Sequence, residues 1–202
     1  MQIDFVLNGR QVALDVGEDE SLLEALRERL GVRSVKDGCA PEGSCGACTV
    51  LVDGHASVSC AQRASRVAGK RITTHEGLDA ATREIWARCF LAAGASQCGF
   101  CSPGIVLKAD WLLAHHPEPS REQIAHALLG NLCRCTGYTK VIDAVLLAAR
   151  ARGGRGMPGA ADGARVGARA PRYLGEELAL GDRAFVGDLV VPGMLHGAIQ
   201  IG

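Results

Sequence analysis

The chain has 202 residues, room for one large domain or two small ones. Its formal net charge is zero and no stretch approaches the roughly 20 apolar residues of a membrane span, so nothing argues for binding to nucleic acid or an anionic surface, or for crossing a membrane. Apolar residues make up 48% and aromatics only 4%, so a core must be built from Ala, Leu and Val. The start, MQIDFVLNGR, lacks a basic region followed by an apolar one, and a cytoplasmic location is the expectation.

In chain order, Ile3, Phe5 and Leu7 alternate with polar residues, Asn8-Gly9 signals a tight turn, and Val12, Leu14 and Val16 alternate again, which predicts a hairpin. Ser21 with Glu24 forms a capping box for a helix whose apolar face is Leu22, Leu23, Leu26 and Leu30, stopped at Gly31. A loop rich in Gly and Cys follows. Strands are expected at Thr49–Val52 and His55–Cys60 around the turn Asp53-Gly54, and at Arg71–His75. These elements make a small α+β sheet domain over residues 1–77. Helical spacing then predicts helices at Ala80–Ala93, Gly104–His115, Arg121–Leu129 and Thr139–Ala151, with a second capping box at Ser120 and Gln123. Four helices with short connections predict a small bundle over residues 78–151. Residues 152–165, rich in Gly, Ala and Arg, read as a linker. The tail, 166–202, reads as extended, with strand-like runs only at Ala184–Val186 and Leu189–Val191.

Nine cysteines stand out, and their odd number, tight grouping and the absence of an export signal favour metal over disulfides. The first group is Cys39-x5-Cys45-x2-Cys48-x11-Cys60. Gly38, Gly43 and Gly46 let its loop turn sharply and bring N–H groups near sulfur, which suits an anionic iron–sulfur cluster. The spacing has one residue more than the plant-type C-x4-C-x2-C, around Ala40-Pro41-Glu42. The second group is Cys98-x2-Cys101 with Cys133-x-Cys135, each pair just before a predicted helix, where free N–H groups and the dipole favour an anion. Four thiolates also suit structural zinc, so a zinc-stabilised binding module remains an alternative at this point. Cys89, on an apolar helical stretch, reads as a buried free thiol. The six histidines show no ligand spacing. Gln97 and Arg134 flank cluster cysteines and are either polar loop residues or contacts to a neighbouring cofactor.

The stretches GCAPEGSCGACTVLVDG, QCGFCSPGIVLKA and GNLCRCTGYTKVIDAV together resemble the iron–sulfur subunit of the xanthine dehydrogenase and aldehyde oxidase family of molybdenum hydroxylases, over about residues 2–150. The resemblance implies an N-terminal ferredoxin-like β-grasp domain followed by a four-helix domain, each holding one 2Fe-2S cluster. Carried over, Cys98, Cys101, Cys133 and Cys135 hold the cluster proximal to a molybdopterin cofactor, and Cys39, Cys45, Cys48 and Cys60 the distal one, toward FAD. Gln97 matches a glutamine that hydrogen-bonds the pterin, and Cys135 the cysteine lying against it. The extra residue between Cys39 and Cys45 departs from the commonest family spacing and bears on the distal potential. Pro171-Arg172, Gly181, Phe185, Asp188 and Pro192 to His196 resemble the beginning of the family's molybdenum-binding domain.

The function so implied is electron relay from a large molybdopterin-binding partner to FAD or another acceptor on a partner chain or domain, within a higher-order dimer. The catalytic centre lies on the partner. A small subunit of a molybdenum carbon monoxide dehydrogenase shares these motifs. The tail is expected to be ordered only against the large partner.

Overall fold

The computed structural model describes residues 1–159, 166–168 and 170–200. The expected hairpin is β1 (Gln2–Leu7) with β2 (Arg10–Asp15), antiparallel, in register from Gln2 opposite Asp15 to Leu7 opposite Arg10. Strands β3 (Thr49–Val52), β4 (His55–Val58) and β5 (Arg71–Thr73) complete a five-stranded sheet of order β2-β1-β5-β3-β4. β5 runs parallel to β1 and antiparallel to β3. Period-two alternation turns Ile3, Phe5 and Leu7 inward, where they meet Leu22, Leu23, Leu26, Val50 and Ile72.

The helix crossing this sheet differs from the expectation of one regular α-helix. The capping box is present, with Glu24 N–H on Ser21 Oγ at 3.1 Å and Ser21 N–H on Glu24 at 2.8 Å. Only Leu22–Glu24 (α1) is α-helical, and Ala25–Arg29 widens into a π-helical turn in which Leu30 N–H reaches the Ala25 carbonyl. The wider turn keeps Leu22, Leu23, Ala25 and Leu26 all buried on one short segment.

Helices α2 (Ala80–Ala93), α3 (Ser102–His115), α4 (Arg121–Ala127) and α5 (Thr139–Arg152) share a second core. Trp86, Phe90, Ile105, Leu112 and Ile124 supply its bulk, and Ala109, Ala144 and Ala148 let the helices approach closely. Trp86 Nε1 donates to Asp110 at 2.8 Å, which satisfies the one polar atom of the largest buried side chain.

The tail departs from the extended reading. Neither strand-like run forms a strand. Instead Gly175–Leu180 is a helix (α6), ended by Gly181 at φ +75°, and Val186–Asp188 is a 3-10 turn. Glu176 and Glu177 in the first turn of α6 suit the helix dipole. This segment packs on the chain itself. Leu178 and Ala179 are buried, Phe185 sits edge-on to Phe100 at 5.6 Å, and Asp188 pairs with Arg27 at 2.6 Å and Lys36 at 3.2 Å. Lys36 is only 1% exposed, so Asp188 neutralises a buried ammonium. Burial works to raise the Asp188 carboxyl, but the Phe185 N–H, Arg27 and Lys36 outweigh it and hold the pKa at about 2. The linker expected at 152–165 is described only to residue 159; residues 160–165 lie outside the described part.

Candidate metal centres

All four cysteines of the first group come from the loop 39–48 and the end of the segment after β4. The extra residue is taken up in a turn where Glu42 N–H donates to the Cys39 carbonyl at 2.7 Å. Cys45, Cys48 and Cys60 are buried and Cys39 half-buried. Close contacts within the group are pairwise. Cys45 N–H lies 3.4 Å from Cys39 Sγ, and Cys60 N–H 3.4 Å from Cys48 Sγ, and within each pair the two thiols also contact one another. Backbone N–H groups of Ser44, Ala47 and Gly43 act to lower the thiols of Cys39, Cys45 and Cys60 respectively. This is the donor pattern expected of a glycine-bearing loop around an anionic cluster.

The second group sits where two helices begin. Cys101 is the N-cap of α3, and Cys133 and Cys135 lie in the loop leading to α5. Here too the contacts are in pairs: Cys98 Sγ to Cys135 Sγ is 3.6 Å, and the thiols of Cys101 and Cys133 contact one another. Two thiolates held tetrahedrally about 2.3 Å from one metal stand about 3.7 Å apart, so 3.6 Å is a ligand-pair distance and far longer than a disulfide. None of the nine cysteines is in a disulfide. Among the described residues no three or more His, Cys, Asp or Glu side chains converge on one point as ligands of a single ion would. Pairs of pairs fit a two-iron cluster, in which each iron takes two thiolates.

The thiols also fit a cationic guest electrostatically. Burial pushes the Cys60 thiol up to about 12, with Cys48 adding to it. Burial and then Cys133 raise Cys101 well above the usual thiol range, and the adjacent Cys98 sulfur raises Cys135. Against this, the Cys45 thiol, with the N–H groups around it, brings Cys39 down to about 7. At Cys133 burial is outweighed by the Thr136 hydroxyl, 3.0 Å from Sγ, and by the N–H groups of Cys135 and Thr136, and the thiol sits below its usual value. Each group thus combines donors ready for thiolate with crowding that opposes several bare thiolates together, and bound iron relieves that crowding.

The two groups meet through backbone. Leu132 N–H, next to Cys133, donates to the Cys45 carbonyl at 2.8 Å. Asn131 Nδ2 donates to the Gly46 carbonyl at 3.1 Å. This contact depends on Gly46, at φ +65°, where a Cβ would lie 2.3 Å from the Gly130 oxygen. On the other side of the second group, α6 lies over the Cys98–Cys101 loop at Gly99, where a Cβ would come within 2.8 Å of Leu178. Gln97, Cys98, Arg134 and Cys135 are exposed, and Cys98 and Cys135 meet at 3.6 Å. Cys89 is fully buried within α2, in the helical core, and burial raises its thiol to about 11, so it is an inert core residue.

Known proteins match this arrangement. Residues 5–71 match the family described as the 2Fe-2S iron-sulfur cluster binding domain, and residues 74–146 the 2Fe-2S binding domain. The nicotinate dehydrogenase small FeS subunit of Eubacterium barkeri is 44% identical over 144 residues, covering 71% of this chain and 91% of that subunit. The chain belongs to the 2Fe-2S subunits of the molybdenum hydroxylase family. The aldehyde oxidoreductase of Megalodesulfovibrio gigas is 36% identical over 208 residues, a match that covers 96% of this chain and so includes the tail, but only 23% of that protein. The crystal structure of the aldehyde oxidoreductase from Desulfovibrio desulfuricans superposes with a TM-score of 0.85 at 34% identity, covering 93% of this chain and 22% of that one. As a member of this family the chain has an electron-transfer role and is part of an oxidoreductase.

Two features of the site carry no signal in the residue pattern. Lys36 and Asp188 lie 152 residues apart, and neither neighbours a motif that announces the other. Tyr138 and Asn131 flank the second group, yet only the fold brings the phenol back onto the Asn131 carbonyl.

Proposed function

We propose that the chain relays electrons one at a time within a molybdenum hydroxylase, through two 2Fe-2S clusters. Cys98, Cys101, Cys133 and Cys135 hold the cluster nearer the molybdenum cofactor, and Cys39, Cys45, Cys48 and Cys60 hold the one nearer the acceptor. The pairing above divides the ligands as Cys39 with Cys45, Cys48 with Cys60, Cys98 with Cys135 and Cys101 with Cys133, one pair to each iron. Bound clusters supply reversible one-electron storage; the chain's own residues supply thiolates, N–H donors to sulfur and exclusion of water. The observation that carries the relay reading is the 2.8 Å hydrogen bond from Leu132 N–H to the Cys45 carbonyl, a short bonded route between the groups.

The exposed surface around Gln97, Cys98 and Cys135 is where a large molybdopterin-binding partner would dock, with Gln97 and Cys135 in contact with the pterin. The turn at Ala40 to Ser44, beside half-buried Cys39, would face a FAD-binding chain or domain or another acceptor. Residues 166–200 would be the beginning of a molybdopterin-binding domain, and the assembly a dimer of such complexes. Among the described residues no helix is long and apolar enough to cross a membrane, which is compatible with a cytoplasmic enzyme. The substrate is selected on the partner chain.

Purified protein tests the reading. About four irons and four labile sulfides per chain, with a red-brown colour, are expected of two clusters. A colourless chain carrying zinc in place of iron would end it.

A further inference from the structure

The peptide unit between Asn131 and Leu132 is held at both polar ends. Its N–H donates to the Cys45 carbonyl at 2.8 Å, and its C=O accepts the Tyr138 hydroxyl at 2.9 Å. The same phenol oxygen accepts the Cys133 N–H at 2.8 Å. Three hydrogen bonds therefore run in one direction: Cys133 N–H to the Tyr138 hydroxyl, that hydroxyl to the Asn131 carbonyl, and, across the peptide, Leu132 N–H to the Cys45 carbonyl. Aligned hydrogen bonds polarise one another, each strengthening the next. The residue that makes this possible sits in an unfavourable conformation. Tyr138 has φ +67°, a region that bulky side chains avoid, and Gly137 before it has φ +63°. The Thr136 hydroxyl accepts the Tyr138 N–H at 3.2 Å and steadies that turn. Strain of this kind, held beside a working site, points to a geometric task.

We propose that Tyr138 is a positioning residue for electron exchange between the two cysteine groups, acting through the Asn131–Leu132 peptide that it orients and polarises against Cys45. The proposal rests on the reading of the eight cysteines as ligands of two clusters. The exchange oxidises one group by one electron and reduces the other by one; no bond forms or breaks and no proton moves. What the protein controls is the contact between the groups. Without the hydroxyl, the Asn131 carbonyl and the Cys133 N–H each lose their partner, and the peptide is free to tip and lengthen the 2.8 Å contact. Asn131 Nδ2 on the Gly46 carbonyl holds the loops together but does not touch that peptide's carbonyl, so it does not replace the phenol.

The test is electron paramagnetic resonance of the full reduced chain, wild type against Tyr138→Phe, with hydrogen exchange of the segment around Leu132. The wild type shows two cluster signals with mutual spin–spin splitting; a wild-type chain lacking either signal overturns the ligand reading and this proposal with it. In Tyr138→Phe both signals persist, the splitting falls, and exchange at the Leu132 amide quickens about fivefold, as expected for loss of one hydrogen bond's support. Both clusters present with unchanged splitting overturns the proposal, whatever happens to stability. Should the Phe variant fail to fold, 3-fluorotyrosine introduced into a Tyr173→Phe chain labels Tyr138 alone, because Tyr173 is the other tyrosine and is exposed. Fluorination keeps the ring's shape and makes the hydroxyl a stronger donor, so the splitting must change; an unchanged value again overturns the proposal.

Discussion

The first cysteine group is closed by the chain that supplies it, whereas the second leaves Cys98 and Cys135 at the surface and buries only Cys133 fully. The difference follows from the supporting structure. The first loop turns back on itself at Glu42 and is pressed at Gly46 by Gly130 and Asn131 from the helical domain. The second stands on the first turns of two helices, which offer N–H groups on one side and leave the other side open. A closed site protects what it holds; an open one keeps a short path to whatever covers it. The family to which the chain belongs is a family of subunits and domains, and the open edge is the face proposed above for docking the large partner.

This contrast predicts unequal tolerance of the two loops. Gly46→Ala puts a Cβ 2.3 Å from the Gly130 oxygen, in a conformation that already disfavours side chains. It should destabilise the chain by about 4 kcal/mol or more. Gly137→Ala, in the second loop at φ +63° with nothing within 4 Å, should cost only about 1 kcal/mol, from backbone strain alone. Chemical denaturation of both variants measures this, and equal losses would remove the distinction between a closed and an open loop.

A second substitution tests the strap that runs from α6 to Asp188 across both domains. Asp188→Ala leaves Lys36 buried without its counter-charge and should cost about 3 kcal/mol. A change within a few tenths of a kcal/mol would mean that the tail does not pack on this chain as described.

The junction between the domains should also be sensitive to pH. His75 is fully buried, and Arg83 Nη1 donates to its Nδ1 at 2.9 Å, so the ring is neutral with its proton on Nε2. Burial, then the Arg83 charge, lowers its pKa to about 4, while nearby Glu76 opposes the shift. The folded value lies below the unfolded one, so in this window the unfolded chain binds the proton more readily. The stability that His75 contributes is complete above about pH 6.5 and is lost as pH falls toward 4. Between pH 8 and pH 5 the loss should be about 2 kcal/mol. His75→Gln should flatten that part of the profile; an unchanged slope would assign it to other groups.

Much of this organisation is legible from residues alone, and for reasons that can be named. The hairpin follows from strict alternation around Asn8-Gly9, and both capping boxes, at Ser21 and Ser120, form as spaced. The cysteines are legible as two groups by their spacing motifs, and the fold brings Cys98 Sγ to 3.6 Å from Cys135 Sγ although they are distant in sequence. Local signals failed where the outcome depends on packing. The π-helical turn at Ala25–Arg29 depends on how Leu26 meets the sheet, which no periodicity encodes. Helix α6 had a visible stop at Gly181 and acidic residues at its start, but six residues are too few to show an apolar period. The network of Asn131 and Tyr138 needs a tyrosine at positive φ, which the pattern of residue types does not announce.

The central claim is that the eight cysteines form two separate four-ligand sets, divided as the pairing indicates. Paramagnetic resonance of the reduced chain carrying Cys45→Ser, compared with one carrying Cys135→Ser, tests it most directly. Each substitution should alter a different one of two resolved cluster signals and leave the line shape of the other intact apart from their mutual splitting. If both substitutions alter the same signal, or either alters both or neither, the division is wrong.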